Sequence, residues 1–587
     1  MSLELNTWFD FGINALIMKL LVKRILAIFI LFYGISSCKK NAEGITPISS
    51  GTDSKDIVSK LEEKELPSDY VWDILEAKSI ILNENTASTT ASGVLVNGNI
   101  IKITKAGTYN IKGKLNNGQI VVDTDDKDLV RLVLNGVDIS YSESSSLFLD
   151  NAEKVILILA DGTINRFSDG STSFRDTTEG QNATIYSQTY TAIAGTGTLM
   201  VNSKFADGIT GKDGLVINDG KITINATDDG IRGKDFLVIR NGDMNITCGG
   251  DALKSDNDKN LKAGYVSIEN GEYKLSTRGD GISAFSSVLI KGGEFEIFSG
   301  GGNNAVLPVG LSAKGIKAKK DVSIQAKKMI LDCADDAIHS DGRLQILGGI
   351  YDISCGDDAI HADNLLNVEK SEVLIKTAFE GFEAKTINIG AGKFELNTYN
   401  DCISASAGND AQQNDGSYVY IKNGTIILRS TAGDLLDSNG NIEMGGGIMI
   451  MHGPISAEVP IDYNGTFKVI SGIIVASGSN SRFLQAPSSI SVQNSVQINF
   501  KSSNSAGDLI NISNTNGESL VTFRPKVNYF TFIFSSAKLA MGATFKVSTG
   551  GTIEGEEIGG YYPSGSYKNG AVKGAFTKNS VISQVSI

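Results

Sequence analysis

The chain has 587 residues, and 53 Lys plus Arg against 66 Asp plus Glu leave a net charge of −13, which speaks against nucleic acid as a partner because phosphate neutralisation needs a basic face. Apolar residues make up 41% and charged residues 20%, so most of the chain can bury a core and is not a disordered tail. With 65 glycines against 8 prolines, the composition suits many tight turns and points to a long all-β or repetitive architecture.

The N-terminus carries export chemistry. Lys19, Lys23 and Arg24 form a basic head, Ile25 to Tyr33 an apolar core, and Ile35-Ser36-Ser37-Cys38 reads as a lipobox. Residues 1–37 are therefore read as a lipoprotein signal peptide, with Met18 as the expected start and Cys38 as the lipidated residue. The apolar run is too short for a permanent bilayer-spanning helix. Residues 38–74 read as a polar tether, with at most a short helix around Ile57 to Leu66. The expected address is the cell envelope, lipid-anchored at the outer membrane or cell surface.

From Asp207 the sequence repeats, in segments opening at Asp207, Asp229, Asp251, Asp280, Lys314, Asp336, Asp358, Glu380, Asp401 and Asp434, mostly 21 or 22 residues apart. Counting the opening residue as zero, apolar residues recur at +2, +8, +10, +15 and +17, as in Ile231, Leu237, Ile239, Met244 and Ile246. Each cluster alternates with period two, which predicts three short strands per repeat. Glycine at +13 (Gly220, Gly242, Gly271, Gly293, Gly349) marks a turn. Such strands cannot bury one face each in isolation, whereas stacking the copies into a parallel β-helix does so in one core. Looser copies of this texture extend the solenoid to residues 75–500, and residues 501–587 read as a small C-terminal β-rich cap. Ile231, Leu237, Ile239, Ile246, Ile338, Leu344, Ile346, Ile360, Leu366 and Ile375 are predicted to face inward. Cys248, Cys333 and Cys355 share position +19 and the inward parity, so they are expected as buried ladder residues. Side chains in register point the same way, which disfavours a Cys333–Cys355 bridge.

Position zero is acidic in nine of ten copies. Stacked at about 4.8 Å, these carboxylates cannot all stay charged unaided, and turn N–H groups, basic partners or bound cations could each answer. The doubled acids Asp335-Asp336 and Asp357-Asp358, followed by Glu380 and Glu383, offer the hard oxygens that calcium prefers, so calcium is the expected metal at these six residues. Histidine at +3 (His339, His361) would suit zinc, but the excess of oxygen ligands favours calcium. The same position holds Arg232, Lys254 and Lys317 above small residues at +1, which reads either as neutralisation of the acids or as a groove for a hydrated acidic polymer. Arg232, Lys254, Lys317, His339 and His361 are the candidate carbohydrate contacts. The only tryptophans, Trp8 and Trp72, lie outside the repeats, so flat stacking platforms are expected to be scarce.

The runs Asp228-Asp229-Gly230-Ile231-Arg232-Gly233-Lys234-Asp235, Asp335-Asp336-Ala337-Ile338-His339-Ser340, Asp357-Asp358-Ala359-Ile360-His361-Ala362-Asp363 and Glu380-Gly381-Phe382-Glu383-Ala384 resemble the signature of bacterial carbohydrate-binding β-helix lipoproteins. The likeness extends upstream to Leu134-Asn135-Gly136-Val137-Asp138-Ile139 and downstream to Ile461-Asp462-Tyr463-Asn464-Gly465. Lys314 and Phe382 depart from the pattern. The resemblance implies a right-handed parallel β-helix similar to calcium-dependent pectate lyases, and binding of cellulose and acidic sugars with calcium. The function expected is binding of a polysaccharide, acidic or from plant cell walls, by a monomer. A pectate-type lyase with Lys317 as base and a structural spacer or adhesin are the alternatives. No Ser/His/Asp, Cys/His or phosphate-loop pattern appears.

Overall fold

The computed structural model describes residues 65–587 except 172–179, 261, 409–412, 455, 457 and 480–483. The signal-peptide, lipobox and Met18 readings, Cys38 included, lie outside the described residues.

Alternation at period two makes short strands, and the repeat length sets how they pair. Ile231–Gly233, Phe236–Ile239 and Asp243–Cys248 form one coil. Each pairs in parallel with its equivalent one coil on, Ile231 opposite Leu253, Leu237 opposite Val266 and Ile246 opposite Leu275. This pairing runs from Lys78–Glu84 to Ile473–Gly478. The chain is therefore a parallel β-helix. All ten residues predicted to face inward are fully buried, within one cluster that extends from Ile80 to Ile533.

Position for position, the interior forms ladders. Tyr273 and Phe295 stack with centroids 4.5 Å apart and planes 5° apart. Phe382, where a smaller aliphatic residue fits the pattern, fills its space edge-on to Phe394. Cys333 lies opposite Cys355 and, with Cys248 and Cys402, is a buried free thiol. The turn glycines are required by the stack: Gly271 has φ +129°, and a Cβ there would meet the Gly242 carbonyl oxygen at 2.6 Å.

A stacked solenoid ends in open strand edges, which invite pairing with other chains. At the N-terminal end Ala87–Thr89 and Val94–Asn97 pair antiparallel with Lys78–Glu84 and Ile100–Ile103. At the other end Tyr529–Ser535 lies antiparallel to Ile473–Gly478 and to Ser495–Asn504. Beside it, a five-stranded sheet built around Ile510–Asn514 and Thr544–Thr549 is antiparallel throughout. Its aromatic side packs on the flank of the last coils, where the outward residues Ile427, Ile450 and Val475 are buried in one cluster with Phe523, Phe532 and Phe534. His452 fixes this contact: its Nε2 lies 2.7 Å from the Gly559 carbonyl, and its Nδ1 accepts the Lys526 N–H at 3.1 Å.

The described end of the segment read as a tether is docked on the solenoid. Glu65 pairs with Arg240 at 2.5 Å and Asp69 with Lys154 at 2.6 Å, while Tyr70 and Trp72 pack against an outward apolar stripe that includes Ile156, Val216 and Val238.

Candidate functional site

The turn that leads into the first strand of each coil carries two files of polar residues. The inner file is the acid column, and its carboxylates staple the coils together. Asp229 accepts the backbone N–H of Asp251 at 2.8 Å, and Asp251 that of Asp280 at 2.8 Å. The same bond joins Asp280 to Lys314 at 2.8 Å, Asp336 to Asp358 at 3.1 Å and Asp401 to Asp434 at 2.7 Å. Backbone donors are thus one answer to the crowding of like charge. They do not cancel the cost of burial, which pushes Asp207 up to about 7 and Asp401 up to about 8.

The outer file is position +3, in continuous register from Thr210 through Arg232, Lys254, Ser283, Lys317, His339 and His361 to Glu383, Ser404, Asp437 and Asp462. Its character changes along the axis, from basic through imidazole to acidic. The basic end is neutralised from within the protein. Arg232 makes a bidentate pair with Asp256, at 3.2 and 2.6 Å. Lys254 lies 3.0 Å from both Asp229 and Asp251; burial opposes its charge, but the two carboxylates outweigh burial and hold the ammonium above its ordinary range. Lys317 donates to Ser312 Oγ at 3.2 Å and lies 3.7 Å from Asp280.

In the middle, His339 and His361 stack with centroids 4.7 Å apart. His339 Nδ1 is 2.7 Å from Asp336 and its Nε2 is 3.0 Å from Asp341. His361 Nδ1 lies 2.7 Å from Glu383 and 3.2 Å from Asp358, with Nε2 3.2 Å from Asp363. Burial disfavours charge on His361, but hydrogen bonds to Asp358 and Glu383 outweigh it and push the imidazolium up to about 11.

The six residues read as calcium ligands fall into separate groups. Asp335, Asp336 and Asp357 converge, with one oxygen from each within 4.8 Å of the others. Lys314, the basic member of the acid column, reaches into this group and lies 2.8 Å from Asp335 and 2.6 Å from Asp336. Burial would raise Asp336, yet His339 and Lys314 prevail and hold it at about 2. Asp358 and Glu383 form a second group with His361. Glu380 instead accepts Asn400 Nδ2 at 2.7 Å.

Two features escape the sequence reading. Asp434, Asp437 and Asp462 bring one oxygen each within 4.8 Å, and among the described residues no basic nitrogen pairs with them. Burial pushes Asp434 and Asp437 up to about 7, and neighbouring carboxylates add to the shift. The available signal was acid at +3, where other coils carry a base. The second feature is aromatic: Phe379 and Tyr399, on adjacent coils, are 42% and 58% exposed, with ring centroids 6.0 Å apart and planes 24° apart. The expectation of scarce stacking surface considered tryptophan and overlooked these turn positions.

Fold and site together define a β-helical protein with a polar, hydrogen-bonding turn face. Residues 97–359 match the family model described as carbohydrate-binding domain-containing protein. A relative with that description from Acetivibrio thermocellus is 36% identical over 162 residues, which are 27% of this chain and 57% of the relative's length. A solved structure described as a polysaccharide lyase-like protein from C. thermocellum, a gadolinium derivative, is 31% identical, covers 42% of this chain and 97% of its own, and has a TM-score of 0.39. The chain is thus similar to carbohydrate-binding domain-containing proteins over residues 97–359, and it spans little more than half the length of that relative.

Proposed function

We propose that the protein binds polysaccharide along this turn face without cleaving it, as a lipid-anchored protein of the cell envelope held through Cys38. The observation that carries this reading is the outer file from Arg232 to Asp462, a straight row of charged and hydrogen-bonding side chains fixed by strand register. Such a row offers a linear polymer repeated contacts at constant spacing on a frame that loses little freedom on binding. The match to the carbohydrate-binding domain-containing family supports the ligand class.

Calcium belongs to the proposal as the bridge to uronate. The face is rich in carboxylates, so an acidic chain would be repelled unless a divalent cation joined the two. The oxygen donors of Asp434, Asp437 and Asp462 suit calcium and have no basic competitor among the described residues. Those of Asp335, Asp336 and Asp357 would have to displace Lys314. Binding is favoured over β-elimination because Lys254 is held protonated by two carboxylates and Lys317 faces Asp280, whereas a lyase needs a base able to shed its proton.

Affinity electrophoresis of the mature chain in gels containing polygalacturonate or neutral plant polymers, with calcium or with chelator, tests the reading. Retardation is expected, and retardation by polygalacturonate should require calcium. Migration unaffected by every polymer would refute binding. A steady rise in ultraviolet absorbance from unsaturated uronate products, abolished in Lys317→Ala, would replace binding with catalysis.

A further inference from the structure

We infer that Phe379 and Tyr399 form a stacking subsite for uncharged pyranose rings, an inference that rests on the polysaccharide-binding reading and assigns it a place on the solenoid. Both residues occupy the tight turn just before the acid column. Phe379 donates its N–H to the Asp357 carbonyl at 2.9 Å, and the Asn400 N–H donates to the Phe379 carbonyl at 2.7 Å. Tyr399 is held in the same way between Ala378 and Ala432, by bonds of 2.9 and 2.8 Å. The backbone of both residues is thus fixed by neighbouring coils, while the rings stand in solvent.

Tyr273, Phe295, Tyr351, Phe382 and Phe394 of the repeats are buried, whereas Phe298, 41% exposed, also faces solvent. Two adjacent, half-exposed rings at one turn forgo part of the burial that aromatic side chains gain in the interior, and their mutual contact recovers only some of it. A sugar ring supplies what the pair lacks. The C–H face of a pyranose with equatorial hydroxyls is flat and weakly positive, and it complements the negative face of an aromatic ring.

The groups around the pair select the ligand. Asp357 is exposed on the coil below, and Glu380, bonded to Asn400, lies beside the rings. Carboxylates and an amide oxygen accept hydrogen bonds from sugar hydroxyls. They repel a uronate, and the cations of the neighbouring turns are engaged elsewhere, Lys314 with Asp335 and Asp336 and His361 with Glu383. The platform therefore takes a neutral, flat-faced glycan such as a β-linked glucan or xylan, and does so without calcium. This sets it apart from calcium-bridged binding of uronate on the same face.

The test is affinity electrophoresis of the mature chain in native gels containing hydroxyethylcellulose, xylan or polygalacturonate, all with chelator and again with calcium. Wild type should be retarded by a neutral polymer in chelator. Phe379→Ala with Tyr399→Ala should weaken that retardation about tenfold, with unchanged thermal melting, and Phe379→Tyr with Tyr399→Phe should restore it. Equal retardation of wild type and the double alanine variant would overturn the platform and leave polysaccharide binding standing. So would retardation of wild type by polygalacturonate with calcium alone. If no polymer retards wild type, the binding reading fails and the platform fails with it.

Discussion

Replacing Lys314 by Met removes a cation from the middle of the acid column while keeping the length of the side chain and the backbone N–H that Asp280 accepts. The Lys314 side chain is 13% exposed, those of Asp335 and Asp336 14% and 4%. Asp336 is held at about 2, nearly two units below the usual carboxylate, and each unit is about 1.4 kcal/mol, so its partners contribute roughly 2 kcal/mol. His339 keeps its bond in the variant, whereas loss of one member of a buried pair costs about 3–5 kcal/mol when nothing remains. The expected cost is therefore about 2–3 kcal/mol. A solenoid coil touches mainly its neighbours, so the loss should read locally, as amide exchange of segments 334–340 and 356–362 faster by roughly 30- to 150-fold. Asp336 has a depressed pKa, so its contribution is present above about pH 4 and lost as pH falls through 2; in the variant that loss should begin at higher pH. Removing the ammonium also leaves Asp335, Asp336 and Asp357 converging without it, so calcium should restore protection in the variant and add little at this turn in wild type. Unchanged exchange in Lys314→Met with chelator would refute the idea that this ammonium holds the pair.

Ile346→Asp puts an unpaired charge into the continuous core, where Ile346 is fully buried, and should cost several kcal/mol in urea unfolding; an equally stable soluble variant would contradict the register. Asp434 and Asp437 are raised to about 7 by burial, so the folded state holds protons that the unfolded state has released above about pH 4, and stability contributed there is lost as pH rises through 7. Calcium at pH 8 should offset this loss, and Asp434→Asn with Asp437→Asn should flatten both the pH profile and the calcium response measured by thermal melting. His452 shows the opposite sign: burial holds it at about 4, so its contribution is full above about pH 6.5 and is lost as pH falls through 4. Exchange of segments 523–526 and 558–560 should accelerate over that window, and a flat profile would show that the imidazole does not pin the cap.

The solenoid is legible in the amino-acid sequence, because a repeat of 21 or 22 residues with apolar pairs at fixed offsets leaves stacking as the way to bury three strand faces at once. So is the set of residues that face inward, since parity along a strand decides the face before any tertiary contact exists. The acid column and the +3 file were legible for the same reason, as positions that recur coil after coil. What those positions do depends on contacts between coils. Lys314 looked like a departure from the column, and only stacking shows its ammonium turning to the next coil to clamp Asp335 and Asp336. Arg232 meets Asp256, the first residue of the long connection between Leu253–Ser255 and Tyr265–Ile268, which the repeat register does not describe. Asp437 and Asp462 lie 25 residues apart and face each other because strand pairing places them in register. Phe379 and Tyr399 meet because adjacent coils bring positions one residue out of phase into contact. A periodic sequence specifies its frame locally, whereas charge compensation and surface chemistry depend on pairs that distance along the chain does not reveal.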